Sequence, residues 1–346
     1  MRRIRVDIPG RGYDICIGED ILYKSGPLIR EIYGGKKAAI VTDGNVYPLY
    51  YWQMARSLQA NGIEPCVTFI EPGEASKSQA CLMSLYDMLL SMDMTRSGLI
   101  IALGGGVVGN LAGFAAATLM GGIPLVQIPT SLLAQADSCV GGKVAVNHEK
   151  GKNLIGTFYQ PKLVISDTEC LKTLDKRSFA CGMAEIIKHA ATADAELFGE
   201  LEAKRYDLPE TVARSCEIKR RVVELDEFDT GIRRIMDFGH TFAHAIENVC
   251  DFGVYTHGEA VSLGMVLECG LGEKLRVTKP GTAQRLAEVL SSFGLPVSLE
   301  TDVKSLFKAM LFDEKRDGGM IDIALLTDIG DCKVHSIDMR ELEDML

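Results

Sequence analysis

Three histidines fall within eighteen residues: His240, His244 and His257. The first two form an H-x-x-x-H pattern on a segment with helical periodicity, which turns both imidazoles to one face. His257 follows in Thr256-His257-Gly258-Glu259, read as a turn ahead of the next helix. Two helical imidazoles and a third on an adjoining turn can supply the nitrogen ligands of a zinc ion. An H-x-x-x-H pair alone fits a helix-face or core position just as well; it is the third histidine that points to metal. A catalytic zinc keeps one position open and often takes a carboxylate. Glu185 is the candidate, four residues after Cys181 and three before Lys188. Glu185 and Lys188 share a helical face at i, i+3 spacing, and the plain alternative is a solvated surface pair.

A second chemical feature lies between Gly98 and Asn153. The apolar run Leu99 to Leu103 breaks into Gly104-Gly105-Gly106-Val107-Val108-Gly109-Asn110, followed by helix-compatible small residues and a second apolar run, Ile123 to Ile128. This reads as strand, glycine turn, helix, strand. A glycine turn feeding a helix offers free N–H groups and the positive end of the helix dipole, a cradle for phosphate. No charged residue occurs between Arg96 and Asp137, so a membrane span is the competing reading. Asn110, Pro124, Pro129 and the glycines cut the run too short for one, and buried parallel strands are continuously apolar for their own reason. Gly104, Gly106 and Gly109 fit G-x-G-x-x-G, yet no acidic residue follows some 20 positions on to hold a ribose. Asp43, closing the apolar run Ala38 to Val41, is the better acidic candidate.

These residues need a scaffold, and 346 residues suffice for two domains. A net charge of −10 argues against non-specific nucleic-acid binding while leaving room for a local cationic pocket. The ten cysteines contain no C-x-x-C and read as buried thiols in a reducing compartment. Met1-Arg2-Arg3 runs into alternation and not into an apolar core, so the expected setting is cytoplasmic. Residues 4–17 read as a β-hairpin around Pro9-Gly10-Arg11-Gly12. From there to Ile165, strands alternate with helices, which predicts a mostly parallel, Rossmann-like sheet wrapped by helices over residues 1–175. Residues 176–346 carry long amphipathic segments, among them Phe179–His189, Pro209–Leu225, Ile235–Val249 and Glu259–Leu275. They predict a mainly α-helical second domain with a small β element near Ile321 to Leu326.

Seven ordered motifs then carry a resemblance over nearly the whole chain. They are the Gly104–Gly109 turn, Ile128-Pro129-Thr130-Ser131-Leu132-Leu133-Ala134-Gln135, Asp137-Ser138-Cys139-Val140-Gly141-Gly142-Lys143, Gly151-Lys152-Asn153, Ala184-Glu185-Ile186-Ile187-Lys188, Phe238-Gly239-His240-Thr241 and His257-Gly258-Glu259-Ala260. Together they resemble the 3-dehydroquinate synthase and sugar-phosphate cyclase family. The resemblance implies a lyase, dependent on NAD and on zinc or another divalent cation such as cobalt, that eliminates phosphate from a sugar phosphate and closes a carbocycle. The implied chemistry is transient oxidation of a secondary alcohol, loss of phosphate, return of the hydride, ring opening and an intramolecular aldol closure. Metal ligation would fall to Glu185, His240 and His257, with His244 turned to the substrate. Asp43, Glu74, Lys77, Gly104, Gly105, Gly106, Asn110, Thr130, Ser131 and Asp137 would hold NAD. Lys143, Asn153, Lys188, Lys219, Arg233 and His244 would serve the substrate and the chemistry, with Lys143 and Lys152 also meeting the cofactor. A homodimer is implied too.

Four positions depart from the synthase pattern. Asn110 stands in place of an Asp, Gly121 in place of a phosphate-binding Arg, Asp237 in place of an Asn, and Glu314 in place of a Lys. Fewer cations and more carboxylates weaken a dianion pocket, each lost charge-assisted bond being worth about 1.5–3 kcal/mol. Lys219 and Arg233 are retained, which favours 3-dehydroquinate synthase and its substrate, 3-deoxy-arabino-heptulosonate 7-phosphate. Related cyclases acting on other sugar phosphates, such as 2-deoxy-scyllo-inosose synthase or the sedoheptulose 7-phosphate cyclases, are the alternative. Metal-dependent polyol dehydrogenases, from outside the cyclases, would accumulate NADH.

Overall fold

The computed structural model describes residues 1–149, 151–250, 254–299, 303–310, 316–317 and 319–345. Glu314 lies outside them. The chain divides into two compact units, Met1–Leu174 and Asp175–Leu346. No helix among the described residues is long and apolar enough to cross a membrane.

The first unit opens with the expected hairpin, β1 (Arg2–Val6) and β2 (Tyr13–Gly18), antiparallel with Arg2 opposite Ile17. Then come α1 (Ser25–Ile32), β3 (Lys37–Asp43), a π-helical turn at Tyr47–Tyr51, α2 (Trp52–Ala60), β4 (Glu64–Ile70) and α3 (Gln79–Ser91). The Ser78 hydroxyl caps α3 by accepting from the Cys81 N–H at 3.2 Å. The stretch that organises the unit follows: β5 (Leu99–Gly104), α4 (Gly106–Thr118) and β6 (Leu125–Pro129). Two further strands, β7 (Lys143–His148) and β8 (Gly151–Phe158), form a separate antiparallel hairpin, and β9 (Leu163–Asp167) completes the sheet. The sheet order is β1-β2-β9-β6-β5-β3-β4, with every pairing parallel except β1–β2.

The uncharged run is explained by the two faces of β5. Leu99, Ile101 and Leu103 pack with Leu28, Ile29, Met54 and Leu58 on one side. Ile100 and Ala102 pack with Leu85, Leu89, Leu111 and Ala115 on the other. Every residue of β5 is buried, so alternation has no solvent face to mark, as expected of a strand covered on both sides. A buried carboxylate fastens β9 to its neighbour in the sheet. Asp167 accepts from the N–H groups of Asp20 (2.9 Å), Ile21 (2.8 Å) and Leu22 (2.8 Å), tying the end of β9 to the chain leaving β2.

The second unit is helical, as expected: α5 (Lys176–Ala193), α6 (Ala195–Glu202), α7 (Leu208–Leu225), α8 (His240–Val249), α9 (His257–Lys274), α10 (Thr282–Ser292) and α11 (Val303–Met310). Asp175, Asp194 and Asp207 cap α5, α6 and α7. A three-stranded antiparallel sheet of β10 (Arg316–Asp317), β11 (Met320–Asp328) and β12 (Asp331–Asp338), then α12 (Met339–Met345), ends the chain. Two expectations need correction. The segment Ile235–Val249 is not one helix but a 3-10 turn (Ile232–Asp237) and α8, broken at Gly239. His257 is the first residue of α9 and not part of a preceding turn.

Candidate active site

Glu185, His240 and His257 each offer one ligand atom, and these atoms lie within 4.8 Å of one another. Glu185 Oε1 is 3.4 Å from His257 Nε2 and 3.8 Å from His240 Nε2. Small residues let the three helices approach this closely. A Cβ on Gly258 would stand 2.4 Å from the Cys181 carbonyl oxygen of α5, and one on Gly264 of α9 would stand 1.9 Å from the Gly239 oxygen at the head of α8. His257 is set at the start of α9 by a capping box: Thr256 Oγ1 accepts from the Glu259 N–H, and the Glu259 carboxylate accepts from the Thr256 N–H at 2.8 Å.

The imidazoles are aimed from behind. His257 Nδ1 faces Glu247 Oε1 at 3.4 Å, and His240 Nδ1 faces the Phe238 carbonyl oxygen at 3.4 Å. An acceptor behind each Nδ1 places the proton there and leaves the Nε2 lone pair for a cation. Burial holds His240 well below the usual imidazole range, and the nearby Lys188 ammonium acts in the same direction. Burial pulls His257 down as well, but Glu185 and Glu247 outweigh it and lift it to about 10. A dication would do for these carboxylates what that proton does. One carboxylate and two converging imidazoles are a donor set that fits zinc or cobalt with a position left open.

Lys188 is 2% exposed and its Nζ stands 2.5 Å from Glu185 Oε2. The surface-pair reading of Glu185 and Lys188 is therefore overturned; both sit in the core of the unit. Lys219 of α7 and Arg233 of the 3-10 turn are also buried. Arg233 donates from Nη1 to the Glu227 carbonyl oxygen at 2.6 Å, and its N–H reaches Asp226 Oδ2 at 3.1 Å. Cations are rarely taken out of water unless an anion meets them, and Lys188 has that partner in Glu185. His244, one turn along α8 from His240, lies edge-on to it with ring centroids 5.7 Å apart.

In the first unit, the glycine turn lies at the carboxyl end of β5, next to that of β3. The chain runs from β3 out to β4 and returns to β5 on the other side of β3. The β3–β5 gap is thus a topological switch point, where open α/β sheets bind ligands. Gly104 must lack a side chain because its Cβ would meet Val108 at 2.5 Å. The first turn of α4 presents N–H groups with no acceptor inside the helix. Across the gap, Asp43 Oδ1 accepts from the N–H groups of Asn45 (2.8 Å) and Val46 (3.0 Å). Thr130 is buried and its N–H binds the Gly104 oxygen at 3.0 Å. Ser131 Oγ accepts from the Ala134 N–H at 3.3 Å, at the start of a π-helical turn (Ala134–Ser138) that carries Asp137. Asn110 bonds back to the Gly106 oxygen at 2.9 Å.

Sequence reasoning missed the β7–β8 hairpin, which carries Lys143, Lys152 and Asn153. It also missed Asn147. The Asn147 amide donates to Glu74 Oε1 at 2.8 Å and its carbonyl accepts from the Asn153 N–H at 2.9 Å. Lys77 Nζ reaches Asn153 Oδ1 at 2.5 Å and Glu74 Oε1 at 3.4 Å. The network holds Asn153 at a φ of +58°, in the left-handed region. No pattern along the chain announces Asn147, because its partners are 73 and 6 residues away.

Comparison with known proteins covers both units. Family models described as 3-dehydroquinate synthase N-terminal and C-terminal match residues 67–181 and 182–316. The 3-dehydroquinate synthase of Enterococcus faecalis is 44% identical over 351 residues, spanning 99% of this chain and 98% of the relative. That of Clostridium perfringens is 43% identical over 350 residues, spanning 99% and 100%. Among solved structures, a 2-deoxy-scyllo-inosose synthase complexed with carbaglucose-6-phosphate, NAD+ and Co2+ superposes with a TM-score of 0.88 at 25% identity, over 99% of each chain. A 2-epi-5-epi-valiolone synthase from Streptomyces hygroscopicus with NAD+ and Zn2+ bound gives 0.86 at 29% identity, over 96% of this chain and 95% of that one. An iron-containing alcohol dehydrogenase gives 0.68 at 16% identity, a likeness of fold alone. Likeness at this level from end to end, over a fold with clustered metal donors and a glycine turn at its switch point, settles kinship: the chain belongs to the 3-dehydroquinate synthase family.

Proposed function

We propose that this chain is a 3-dehydroquinate synthase, converting 3-deoxy-arabino-heptulosonate 7-phosphate to 3-dehydroquinate with elimination of phosphate. The observation that carries the reading is the convergence of Glu185, His240 and His257 in a chain 44% identical to a named synthase along its whole length. When bound, a divalent cation supplies Lewis acidity and NAD a reversible hydride acceptor. The chain's own residues do the rest. Glu185, His240 and His257 hold the cation, and Glu247 and the Phe238 carbonyl keep both imidazoles in the ligating tautomer. Lys188 keeps a positive charge against Glu185, where negative charge develops on the substrate. Lys219 and Arg233, with His244, receive the substrate's anionic and hydroxyl groups through charge-assisted bonds. The first turn of α4 receives the dinucleotide phosphates, the outer oxygen of Asp43 a ribose hydroxyl, and the Glu74–Lys77–Asn153 network with Lys143 and Lys152 the remainder of the cofactor and substrate.

The test is direct. The purified protein, loaded with zinc and NAD, is given a panel of sugar phosphates, with phosphate release, product NMR and absorbance at the NADH band followed together. The expected result is phosphate release and a carbocyclic product from 3-deoxy-arabino-heptulosonate 7-phosphate, with no net NADH. Inertness toward that substrate, with cyclisation of one lacking a carboxylate, would overturn the substrate. Net NADH without phosphate release would overturn the reaction class. A homodimer rests on the resemblance and a cytoplasmic setting on the cysteine usage and the residues after Met1; sedimentation velocity tests the first.

A further inference from the structure

The start of α8 poses a capping problem that its own sequence cannot solve. Its N-cap is Gly239, held in the left-handed region at φ +85°. A Cβ there would come within 2.6 Å of Met265 Cγ and within 3.0 Å of the Met265 N and Val261 O backbone atoms of α9. Conformation and contact both demand glycine, and glycine has no side chain to accept the N–H groups of the first turn. The acceptor comes from 29 residues away. Glu268 of α9 is fully buried; its Oε2 accepts from the Gly239 N–H at 2.6 Å, and its Oε1 from the N–H groups of Thr241 at 3.1 Å and Phe242 at 3.4 Å. A carboxylate at this end of a helix also meets the positive pole of its dipole. His240 lies between two of the clamped residues, at the first position of the helix.

We propose that Glu268 is a positioning residue for the metal centre: by clamping the head of α8 it sets the direction of the His240 imidazole. It is not among the converging donors, and it acts through His240. The inference rests on reading Glu185, His240 and His257 as metal ligands. A purely structural cap would lower stability and leave metal affinity untouched; a positioning cap changes affinity in protein that is still folded. Outer partners that orient ligands are typically worth 10–100-fold in metal affinity.

The experiment compares the full chain with Glu268→Gln, which keeps the shape but turns an amide N–H toward the backbone donors, and with Glu268→Asp, which keeps the charge but falls a methylene short. His240→Ala is the control on the site itself. Cobalt affinity is measured by chelator competition, the visible cobalt spectrum reports ligand geometry, and NAD affinity is measured separately. Glu268→Gln is expected to bind cobalt 10–100-fold more weakly with shifted visible bands and NAD affinity within about twofold of the parent. Should Glu268→Gln not fold, Glu268→Asp is expected to show the same loss. Parent-like cobalt affinity and spectrum in a folded Glu268 variant, with His240→Ala abolishing binding, would overturn the clamp alone. Parent-like binding by His240→Ala would instead overturn the ligand set, and the inference with it.

Discussion

Two glycines on one helix are expected to respond in opposite ways to the same substitution. Gly264 and Gly270 both lie within α9. A Cβ at Gly264 would stand 1.9 Å from the Gly239 oxygen and 2.9 Å from the Ala243 N, whereas one at Gly270 meets nothing within 4 Å. The first contact is about 1.5 Å short of ordinary van der Waals distance, and the atom met is backbone, so no rotamer relieves it; α8 and α9 must part. Forced overpacking costs about 1–3 kcal/mol, and gains from helix propensity cannot offset it. At Gly270 the added methyl restricts the unfolded chain at no steric cost and stabilises the helix by about 0.5–1 kcal/mol. Gly264→Ala and Gly270→Ala should therefore differ by about 1.5–4 kcal/mol, compounded from those two effects.

Urea unfolding of both variants in EDTA measures this without contribution from bound metal, with equal m-values required for the comparison. Zinc affinity supplies a second reading, because the helices that Gly264→Ala drives apart carry His240 and His257. Gly264→Ala should bind zinc at least tenfold more weakly, and Gly270→Ala as the parent does. A Gly264→Ala protein as stable as the parent and with parent-like zinc affinity would refute the claim that close backbone approach assembles the site.

Other outcomes follow from the same geometry. The purified protein should hold about one zinc per chain, as a single three-ligand site requires; His257→Ala should lose most of it by metal analysis, and full retention would remove His257 from the ligand set. Lys188→Ala should lower turnover at least 100-fold, within the usual range for a residue that handles a proton or developing charge, while leaving NAD affinity unchanged by fluorescence titration. Glu259 is held below its ordinary value of 4.5, first by the hydrogen bond from Arg177 and with help from the Thr256 N–H. A carboxylate depressed in the folded state stabilises above its unfolded value and loses that contribution as pH falls through its folded one. The gap in urea midpoint between the parent and Glu259→Gln should thus be full at pH 6 and shrink below about 4.5; a gap independent of pH would refute the ion pair's part in holding the start of α9.

What could be read along the chain was whatever repeats or breaks locally. Continuous apolar runs gave the buried strands, glycine turns gave their ends, and 3.6-residue periodicity gave the helices of the second unit. The β7–β8 hairpin escaped because β8 is half solvent-facing and begins Gly151-Lys152-Asn153, a string that reads as a loop until Asn147 and Lys77 are seen to hold it. Spacing brought out His240, His244 and His257 together, and only His240 and His257 converge with Glu185; the break at Gly239 was not legible, since the amphipathic pattern runs straight across it. Glu247 and Glu268 stand in none of the sequence motifs; each meets its partner on a different helix, and spacing within one helix carries no trace of such a partner.

The Asp167 clamp has a consequence for how the chain is made. The hairpin β1–β2 is made ahead of the strand that β2 joins, β9, which is encoded about 145 residues later. Throughout that interval β2, with Ile15, Cys16 and Ile17 destined for the interior, presents an open edge of the kind that invites pairing with other chains. A fragment ending before Leu163 keeps that edge for good, so truncation from the carboxyl end is expected to yield aggregates, not a smaller soluble unit. An element made early thus waits on one made much later to cover its edge.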